Sequence, residues 1–191
     1  MTAREWDLEA AAFDDEPDHG LRDPEVRRAW RDLLRQLLPP APARIADLGC
    51  GTGTLSLLLA EEGHTVDGVD FSPEMVRRAV AKAGPRFVVG DAAAPPLGAG
   101  RYDVVLCRHV LWVLPDPAAA LGRWVDLLAP GGRLVLVEGS WSTGAGLTAE
   151  RTVGLVEDAD LTATLRPLPE PAYWGKPIDD ERYVVVGSRL A

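Results

Sequence analysis

Three glycines at alternate positions, Gly49, Gly51 and Gly53, separate two apolar runs of the chain. This pattern is typical of a strand, a tight turn and a helix that follow one another. Glycine is favoured where the backbone turns with a positive φ or approaches a ligand closely, and the start of the following helix offers unpaired N–H groups. The segment is therefore predicted to be a ligand-binding cradle.

The spacing of the glycines bears on the kind of ligand. A dinucleotide-binding turn has the pattern G-x-G-x-x-G, which counted from Gly49 places its third glycine where this chain has Thr54. Asp47 lies two residues before the first glycine and is expected to face the cradle. A carboxylate there suits a ligand with an ammonium group better than a pyrophosphate. A turn with a purely structural role is the alternative.

Two further aspartates follow the next two predicted strands, 65–70 and 86–89. Asp70 ends the first of them, and an acid at the end of the second strand of a doubly wound sheet can bind both hydroxyls of a ribose. Asp91 follows the next strand. Each aspartate alone could be a helix cap or a turn residue, but together with Asp47 they mark three consecutive strand ends.

Several motifs resemble those of class I S-adenosylmethionine (SAM)-dependent methyltransferases. The run from Asp47 to Gly53 resembles their first motif. Tyr102-Asp103-Val104-Val105 and Leu128-Ala129-Pro130-Gly131-Gly132 stand where small-molecule methyltransferases similar to the ubiquinone-biosynthesis (methyltransferase type 11) family have F-D-x-V and L-x-P-G-G. The resemblance covers roughly the middle half of the chain. It implies SAM as cofactor, S-adenosylhomocysteine as product, and methyl transfer to an O, N or C atom of a small molecule.

The resemblance also implies a set of residues that bind the cofactor. Asp91 and Ala92 match the position that contacts adenine, and Arg108 could bind the SAM carboxylate or pair with a surface acid. The predicted set is Asp47, Gly49, Cys50, Gly51, Gly53, Asp70, Phe71, Asp91, Ala92 and Arg108. Cys50 and Cys107 are both interpreted as small residues of the pocket wall, and because they lack metal-ligand spacing no metal site is predicted.

Two histidines are candidates for a catalytic base. Methyl transfer from a sulfonium depends mostly on alignment in a dry site, and a base matters only when the nucleophile carries a proton of high pKa. His19 lies in a D-H-G turn in which Asp18 could orient the imidazole; an exposed turn is the alternative. His109 follows the fourth strand on the expected substrate side, or else it faces backbone or solvent.

Five aromatic residues are predicted on the substrate side: Trp6, Trp112, Trp141, Tyr173 and Trp174. Aromatic faces stack on a substrate ring or a cationic amine, although a tryptophan is more often part of a core. Trp141 and Trp174 are the strongest candidates to face the substrate, because their loops offer little core to join.

The elements that would position these residues alternate between strands and helices. The predicted fold is α/β, a three-layer Rossmann-like doubly wound sheet. Apolar residues at helical spacing predict a helix from Pro24 to Leu38, and others a helix from Pro73 to Ala83 and a short one that places Trp6 and Phe13 on one face. Strands four and five are predicted to end at Cys107 and Glu138. The resemblance gives strand order 3-2-1-4-5-7-6, with strand 7 antiparallel.

The whole chain, 1–191, is predicted to be a single methyltransferase domain. Residues 43–139 are the cofactor-binding core, and 140–191 form a substrate-side loop, a helix and strands 6 and 7. Residues 1–22 are acidic and contain prolines and glycines, so they are expected to form a mobile lid that a ligand orders.

Composition narrows the range of partners. The net charge is -9 and no basic cluster is present, which disfavours nucleic acid. No apolar run reaches membrane-spanning length and the N-terminus lacks a signal-peptide core, so a cytoplasmic monomer or homodimer without membrane contact is expected. Acids near the predicted mouth favour a neutral or cationic acceptor; they are Asp14, Asp15, Glu16, Asp179 and Asp180.

Two other functions were weighed against methyl transfer. A catalytically silent methyltransferase-like subunit that binds SAM would keep the same motifs. A nicotinamide-dependent reductase is disfavoured by Thr54 and by the lack of a recognisable residue set for hydride transfer.

Overall fold

The computed structural model describes residues 2–189. Met1, part of the predicted lid, and 190–191, part of the predicted substrate-side region, lie outside the described residues. The helices are α1 (Ala3–Glu9), α2 (Pro17–Gly20), α3 (Pro24–Leu37), α4 (Thr54–Glu61), α5 (Pro73–Ala81), α6 (Pro117–Leu127), α7 (Ala149–Glu157) and α8 (Pro171–Trp174), with 3-10 turns at Phe13–Asp15 and Leu111–Val113. The strands are β1 (Arg44–Leu48), β2 (Thr65–Asp70), β3 (Arg86–Val89), β4 (Tyr102–Arg108), β5 (Leu128–Ser140), β6 (Thr162–Pro167) and β7 (Glu181–Ser188).

The strands form one seven-stranded sheet in the order β3-β2-β1-β4-β5-β7-β6. β7 is antiparallel to both of its neighbours, and the other pairs are parallel. The predicted strand order and the antiparallel seventh strand are confirmed. The parallel half brings the carboxyl ends of β1, β2, β3 and β4 to one edge, where ligands of doubly wound sheets bind.

Helices cover both faces of this sheet. Successive side chains of a strand point to opposite faces, and in β4 Val105 and Cys107 join one buried cluster while Val104 and Leu106 join the other. Residues of α6 and α7 complete the first cluster, and residues of α3 and α4 complete the second. The predicted three-layer α/β architecture is thus confirmed.

Local signals start the helices as predicted, but two of the predicted ends are wrong. Asp23 caps α3 by accepting a hydrogen bond from the Glu25 N–H, with Pro24 in the first turn. α5 was expected to reach Ala83 but ends at Ala81, because Ala83 adopts a left-handed φ of 60°. The short helix expected to place Trp6 and Phe13 on one face ends at Glu9, and Phe13 lies in the following 3-10 turn.

Strands β4 and β5 extend further than predicted. β4 includes Arg108, which pairs with Val137, and β5 continues to Ser140, which pairs with Glu181 of β7. The antiparallel neighbour therefore lengthens β5. None of the helices within 2–189 has the length and apolar character needed to cross a membrane.

Trp30 should be a major source of stability. Its side chain is fully buried, its ring meets that of Trp174 edge-on at 5.7 Å, and its Nε1 donates to the carbonyl of Tyr173 at 2.8 Å. Replacing a buried tryptophan with alanine costs about 3 to 5 kcal/mol. We expect Trp30→Ala to lower the free energy of unfolding in urea by that amount, and Trp30→Phe by less.

The matched control is Val80→Ala on α5, where the side chain is 57% exposed and the change should stay within about 0.5 kcal/mol. A Trp30→Ala protein as stable as this control would contradict the role given to the Trp30–Trp174 contact.

Candidate functional site

A cavity of about 390 Å³ opens at the carboxyl ends of the parallel strands. Of the predicted cofactor-binding residues, all except Gly53 line it, as do both candidate histidines. The predicted residues in its wall are Trp6, His19, Asp47, Gly49, Cys50, Gly51, Asp70, Phe71, Asp91, Ala92, Arg108 and His109. Residues that the sequence did not indicate complete it: Phe13, Thr52, Thr54, Leu55, Met75, Val110, Val113, Leu114 and Pro115.

The glycine turn between β1 and α4 requires its glycines. Gly49, Gly51 and Gly53 have φ angles of 72°, 54° and 76°, which residues other than glycine rarely adopt. A Cβ on Gly49 would lie 2.2 Å from a methyl carbon of Val110. A Cβ on Gly53 would lie 2.6 Å from the Phe87 ring, so this glycine permits close packing rather than ligand contact.

Asp70, at the end of β2, fixes the shape of that turn. Its Oδ2 accepts a hydrogen bond from the Gly51 N–H at 2.9 Å, and its Oδ1 accepts one from the Ser72 N–H at 2.9 Å. Burial raises the pKa of Asp70, and the two backbone N–H groups act in the opposite direction. The carboxylate both holds the turn and faces the cavity.

Asp47 is the second buried carboxylate. It lies inside β1, one residue before its end, and accepts a hydrogen bond from Ser56 Oγ at 2.5 Å. Burial raises the pKa of Asp47 to about 6, against the effects of Ser56 and of the Arg108 charge. Two buried carboxylates beside one cavity favour a ligand with positive charge and hydroxyl donors.

The two residues predicted to contact adenine lie after the end of β3. Asp91 is exposed and its Oδ1 accepts from the Ala93 N–H at 2.8 Å, whereas Ala92 is buried and its carbonyl accepts from Trp124 Nε1 at 2.7 Å.

The prediction that both cysteines are residues of the pocket wall is correct for one of them and wrong for the other. Cys50 lines the cavity, but Cys107 is fully buried within the first core cluster.

Arg108 is the last residue of β4 and lines the cavity. Its Nη1 donates to the backbone carbonyl of Asp18, and its guanidinium lies over the Trp30 ring at 5.1 Å. Burial lowers the pKa of Arg108. The expected surface ion pair is not formed among the described residues, and the guanidinium instead connects the N-terminal segment to the cavity wall.

The N-terminal segment is folded over the cradle and held by carboxylates that the sequence did not single out for this role. Asp7 Oδ1 accepts hydrogen bonds from Ser72 Oγ at 2.5 Å and from the Glu74 N–H at 3.1 Å. Asp14 accepts from Thr52 Oγ1 and forms an ion pair with Lys82 Nζ at 2.7 Å. These contacts join the segment to the glycine turn and to α5.

The two candidate histidines meet inside the cavity. His19 stacks on Phe13 at 4.2 Å between ring centroids, and its Nε2 lies 3.7 Å from the Asp18 carboxylate. His109 has a φ of 58° and stacks on Trp174 at 5.8 Å. Burial, and next the Arg108 charge, lower the pKa of both imidazoles, that of His109 to well below its usual value. The alternatives of an exposed turn and a solvent-facing His109 are therefore wrong.

Glu138 is a further site residue that sequence reasoning missed. It is fully buried in β5, and its Oε1 accepts from the N–H groups of Val110 at 3.1 Å and Leu111 at 2.8 Å. Burial raises the pKa of Glu138 to about 8. This carboxyl group fixes the loop that follows His109. The signal for this role in the sequence is an acidic residue within an apolar strand.

Four of the five predicted substrate-side aromatics need correction, because only Trp6 lines the cavity. Trp174 is buried and donates from Nε1 to the Leu168 carbonyl at 2.9 Å, and Tyr173 packs on Trp30 with ring centroids 6.2 Å apart. Trp112 and Trp141 pack on each other at 5.4 Å behind His109. Trp174 and Tyr173 thus join the buried cluster that contains residues of α3, whereas Trp112 and Trp141 are half-buried outside both clusters.

Most of the acids near the mouth are paired with cations. Asp15 pairs with Arg22 at 2.7 Å, Glu16 with Lys176 at 3.4 Å, and Asp180 with Arg182 at 3.0 Å, in addition to the Asp14 pair. This pairing weakens the expectation that the mouth attracts cationic acceptors.

Comparisons with known proteins find similarity to methyltransferases. Residues 46–136 match the Methyltransf_11 family, a methyltransferase domain. Trans-aconitate 2-methyltransferase of Streptomyces avermitilis is 41% identical over 132 residues, which are 62% of this chain and 48% of that protein. A ubiquinone biosynthesis O-methyltransferase of Xanthomonas axonopodis pv. citri is 34% identical over 144 residues, which are 71% of this chain and 56% of that protein. The chain spans about half the length of these curated relatives.

Solved structures share the fold. A chain from the complex between the Haloferax volcanii Trm112 methyltransferase activator and a putative methyltransferase aligns with a TM-score of 0.76 at 22% identity, covering 98% of this chain and 98% of that one. Magnesium protoporphyrin IX methyltransferase from Synechocystis PCC 6803, with bound SAM, aligns with a TM-score of 0.65 at 26% identity, covering 85% of this chain and 76% of that one. In its motifs, its family match and its fold, the chain is similar to SAM-dependent methyltransferases.

Proposed function

We propose that the cavity binds SAM and that the protein transfers the methyl group to an O, N or C atom of a small molecule. The observation that carries this proposal is the Asp70 carboxylate, which is buried, faces the cavity and is joined to the positive-φ glycine turn. A carboxylate in that place suits a ribose.

The residues present fit SAM. Asp70 would bind the ribose hydroxyls, Asp47 the ammonium group, and Asp91 with Ala92 the adenine, all of them in the wall of one cavity. Arg108, a cationic residue of the same wall, would face the SAM carboxylate. When bound, SAM supplies a methyl group on a sulfonium, a good leaving group for an in-line displacement.

The chain's own contribution is then positioning, exclusion of water and, for a hydroxyl acceptor, removal of a proton. Trp6 and Phe13 of the N-terminal segment cover the cavity and keep it dry. His19 and His109 both line it, and a neutral imidazole there would accept the proton of the acceptor. Their lowered pKa values make both weak bases, so positioning should provide most of the rate.

The cavity wall supports an uncharged acceptor. Beside His109 the lining is apolar and consists of Val110, Val113, Leu114 and Pro115. We therefore propose a neutral, apolar or aromatic small molecule. The cationic alternative loses support from the pairing of the mouth acids. Turnover across a panel of such acceptors distinguishes an enzyme from a catalytically silent SAM-binding subunit.

Asp70→Ala tests the cofactor assignment. Loss of a hydrogen bond to a charged group costs about 1.5 to 3 kcal/mol, so SAM affinity measured by calorimetry should fall by roughly one to two orders of magnitude. The control is Asp126→Ala, an exposed acid on α6 outside the cavity, which should bind SAM as the wild type does. Unchanged affinity in Asp70→Ala, or preferred binding of NADPH, would refute the assignment.

The pH dependence of SAM binding tests the role of Asp47. Its pKa is raised to about 6, so the carboxylate is ionised at pH 7.5 and becomes protonated as the pH falls through 6. If it binds the ammonium group, SAM affinity is highest near neutral pH and falls below pH 6 by up to about tenfold per pH unit.

The Asp47→Asn protein should bind SAM weakly at pH 7.5 and lose this slope. The other charged groups near Asp47 are Asp70 and Arg108, and Ser56 hydrogen-bonds to it. A slope that persists in Asp47→Asn assigns the titration to Asp70 instead, and full affinity of that variant at pH 7.5 would contradict the ammonium contact.

Hydrogen exchange tests whether the N-terminal segment acts as a lid. The Asp14–Lys82 pair is half-buried, whereas the neighbouring Asp15–Arg22 pair is exposed, which makes Asp14→Asn and Asp15→Asn a matched comparison. We expect SAM to slow exchange in residues 3–20, and Asp14→Asn alone to speed it, by about tenfold or more. The lid interpretation fails if exchange in this segment is equally slow with and without SAM, or equal in the two variants.

A further inference from the structure

Three side chains with metal-binding atoms meet at the inner side of the cavity. Asp18 and His19 come from the N-terminal segment, and His109 follows β4. One ligand atom from each of them lies within 4.8 Å of those of the other two. Because about ninety residues separate the two histidines, no short spacing motif in the sequence indicates this cluster.

One ring nitrogen of each histidine lacks the hydrogen-bond partner that a buried polar atom normally has. His19 Nδ1 and His109 Nε2 are buried and form no hydrogen bond within residues 2–189. The Asp18 carboxylate is mostly buried, and its separation of 3.7 Å from His19 Nε2 is too long for a hydrogen bond. Leaving such atoms unpaired costs free energy, so their concentration in one place indicates a site built for a ligand.

We propose that Asp18, His19 and His109 bind a divalent transition-metal ion. Two imidazoles and one carboxylate form a known type of site that leaves coordination positions open. In tetrahedral zinc sites the ligand atoms are about 3.3 Å apart, so small side-chain rotations would complete the geometry from the present arrangement. Metals bind imidazole in its neutral form.

The neighbouring charge restricts which ions fit. Arg108 donates to the backbone carbonyl of Asp18, and its positive charge opposes any cation held by charge alone. Imidazole nitrogens give covalent character to bonds with Zn²⁺, Co²⁺ or Fe²⁺ but suit Mg²⁺ and Ca²⁺ poorly. The site is therefore assigned to the first group of ions.

Such an ion would join the N-terminal segment to the core, since two ligands come from the segment and one from the end of β4. His19 and His109 also line the cavity; with the ion bound they would be its ligands and not the proton acceptor, and an open coordination position could take an oxygen atom of the acceptor. This inference goes beyond the proposed methyl transfer and does not depend on it, because the ion is bound without SAM.

Cobalt provides a direct test. The full chain, treated with a chelator and then dialysed, is titrated with Co²⁺ while its visible d–d absorption is recorded, and with Zn²⁺ by calorimetry. We expect one ion per chain, and weaker binding by roughly tenfold to a hundredfold or more in each of Asp18→Asn, His19→Ala and His109→Ala. His64→Ala is the control, because His64 lies outside the cavity.

Circular dichroism confirms that each variant is folded, and His109→Gln replaces His109→Ala if that protein unfolds. Absence of Co²⁺ binding at millimolar concentration would overturn the proposal. So would Co²⁺ binding that survives the loss of both His19 and His109. A SAM titration of the metal-free protein keeps the two ideas separate, since SAM binding without metal binding refutes this site alone.

Discussion

The hydrogen bond from the Gly51 N–H to the Asp70 carboxylate joins the glycine turn that follows β1 to the end of β2. The site depends on both. The turn between β1 and α4 contains three glycines with positive φ angles. Glycine loses more conformational entropy on folding than any other residue type. Asp70 compensates by fixing the turn from the neighbouring strand. Burial opposes ionisation of that carboxylate, and the two backbone N–H groups favour it, so a charged group can remain at the bottom of the cavity.

The acidic composition of the chain is explained by local pairing. Asp7 and Asp14 hold the N-terminal segment against α5 and the glycine turn, and Asp67 accepts hydrogen bonds from Tyr102 and Arg86 at the opposite side of the sheet. Charged hydrogen bonds of this kind are individually modest and reversible. They suit the proposed lid, in contrast to the apolar contacts that hold α3 on the sheet.

The sequence predicted the strands and the glycine turn well because both depend on local patterns, whereas the strand order came from the resemblance to a known family. Glycine spacing, acids at strand ends and capping residues such as Asp23 and Ser72 act over a few positions. The misplaced residues depend on distant contacts. Trp174 is core because α8 packs on α3, and Asp18 meets His109 only because the N-terminal segment folds back across the sheet edge. Strand β5 is longer than predicted because β7, far along the chain, pairs with its end.

The central claim is that this cavity holds the nucleoside of SAM at Asp70. A crystal structure of the protein with S-adenosylhomocysteine tests it most directly. The account predicts ribose hydroxyls within hydrogen-bond distance of the Asp70 carboxylate, adenine beside Asp91 and Ala92, and the ammonium group at Asp47. A nucleoside bound elsewhere, or a ribose without contact to Asp70, would contradict it.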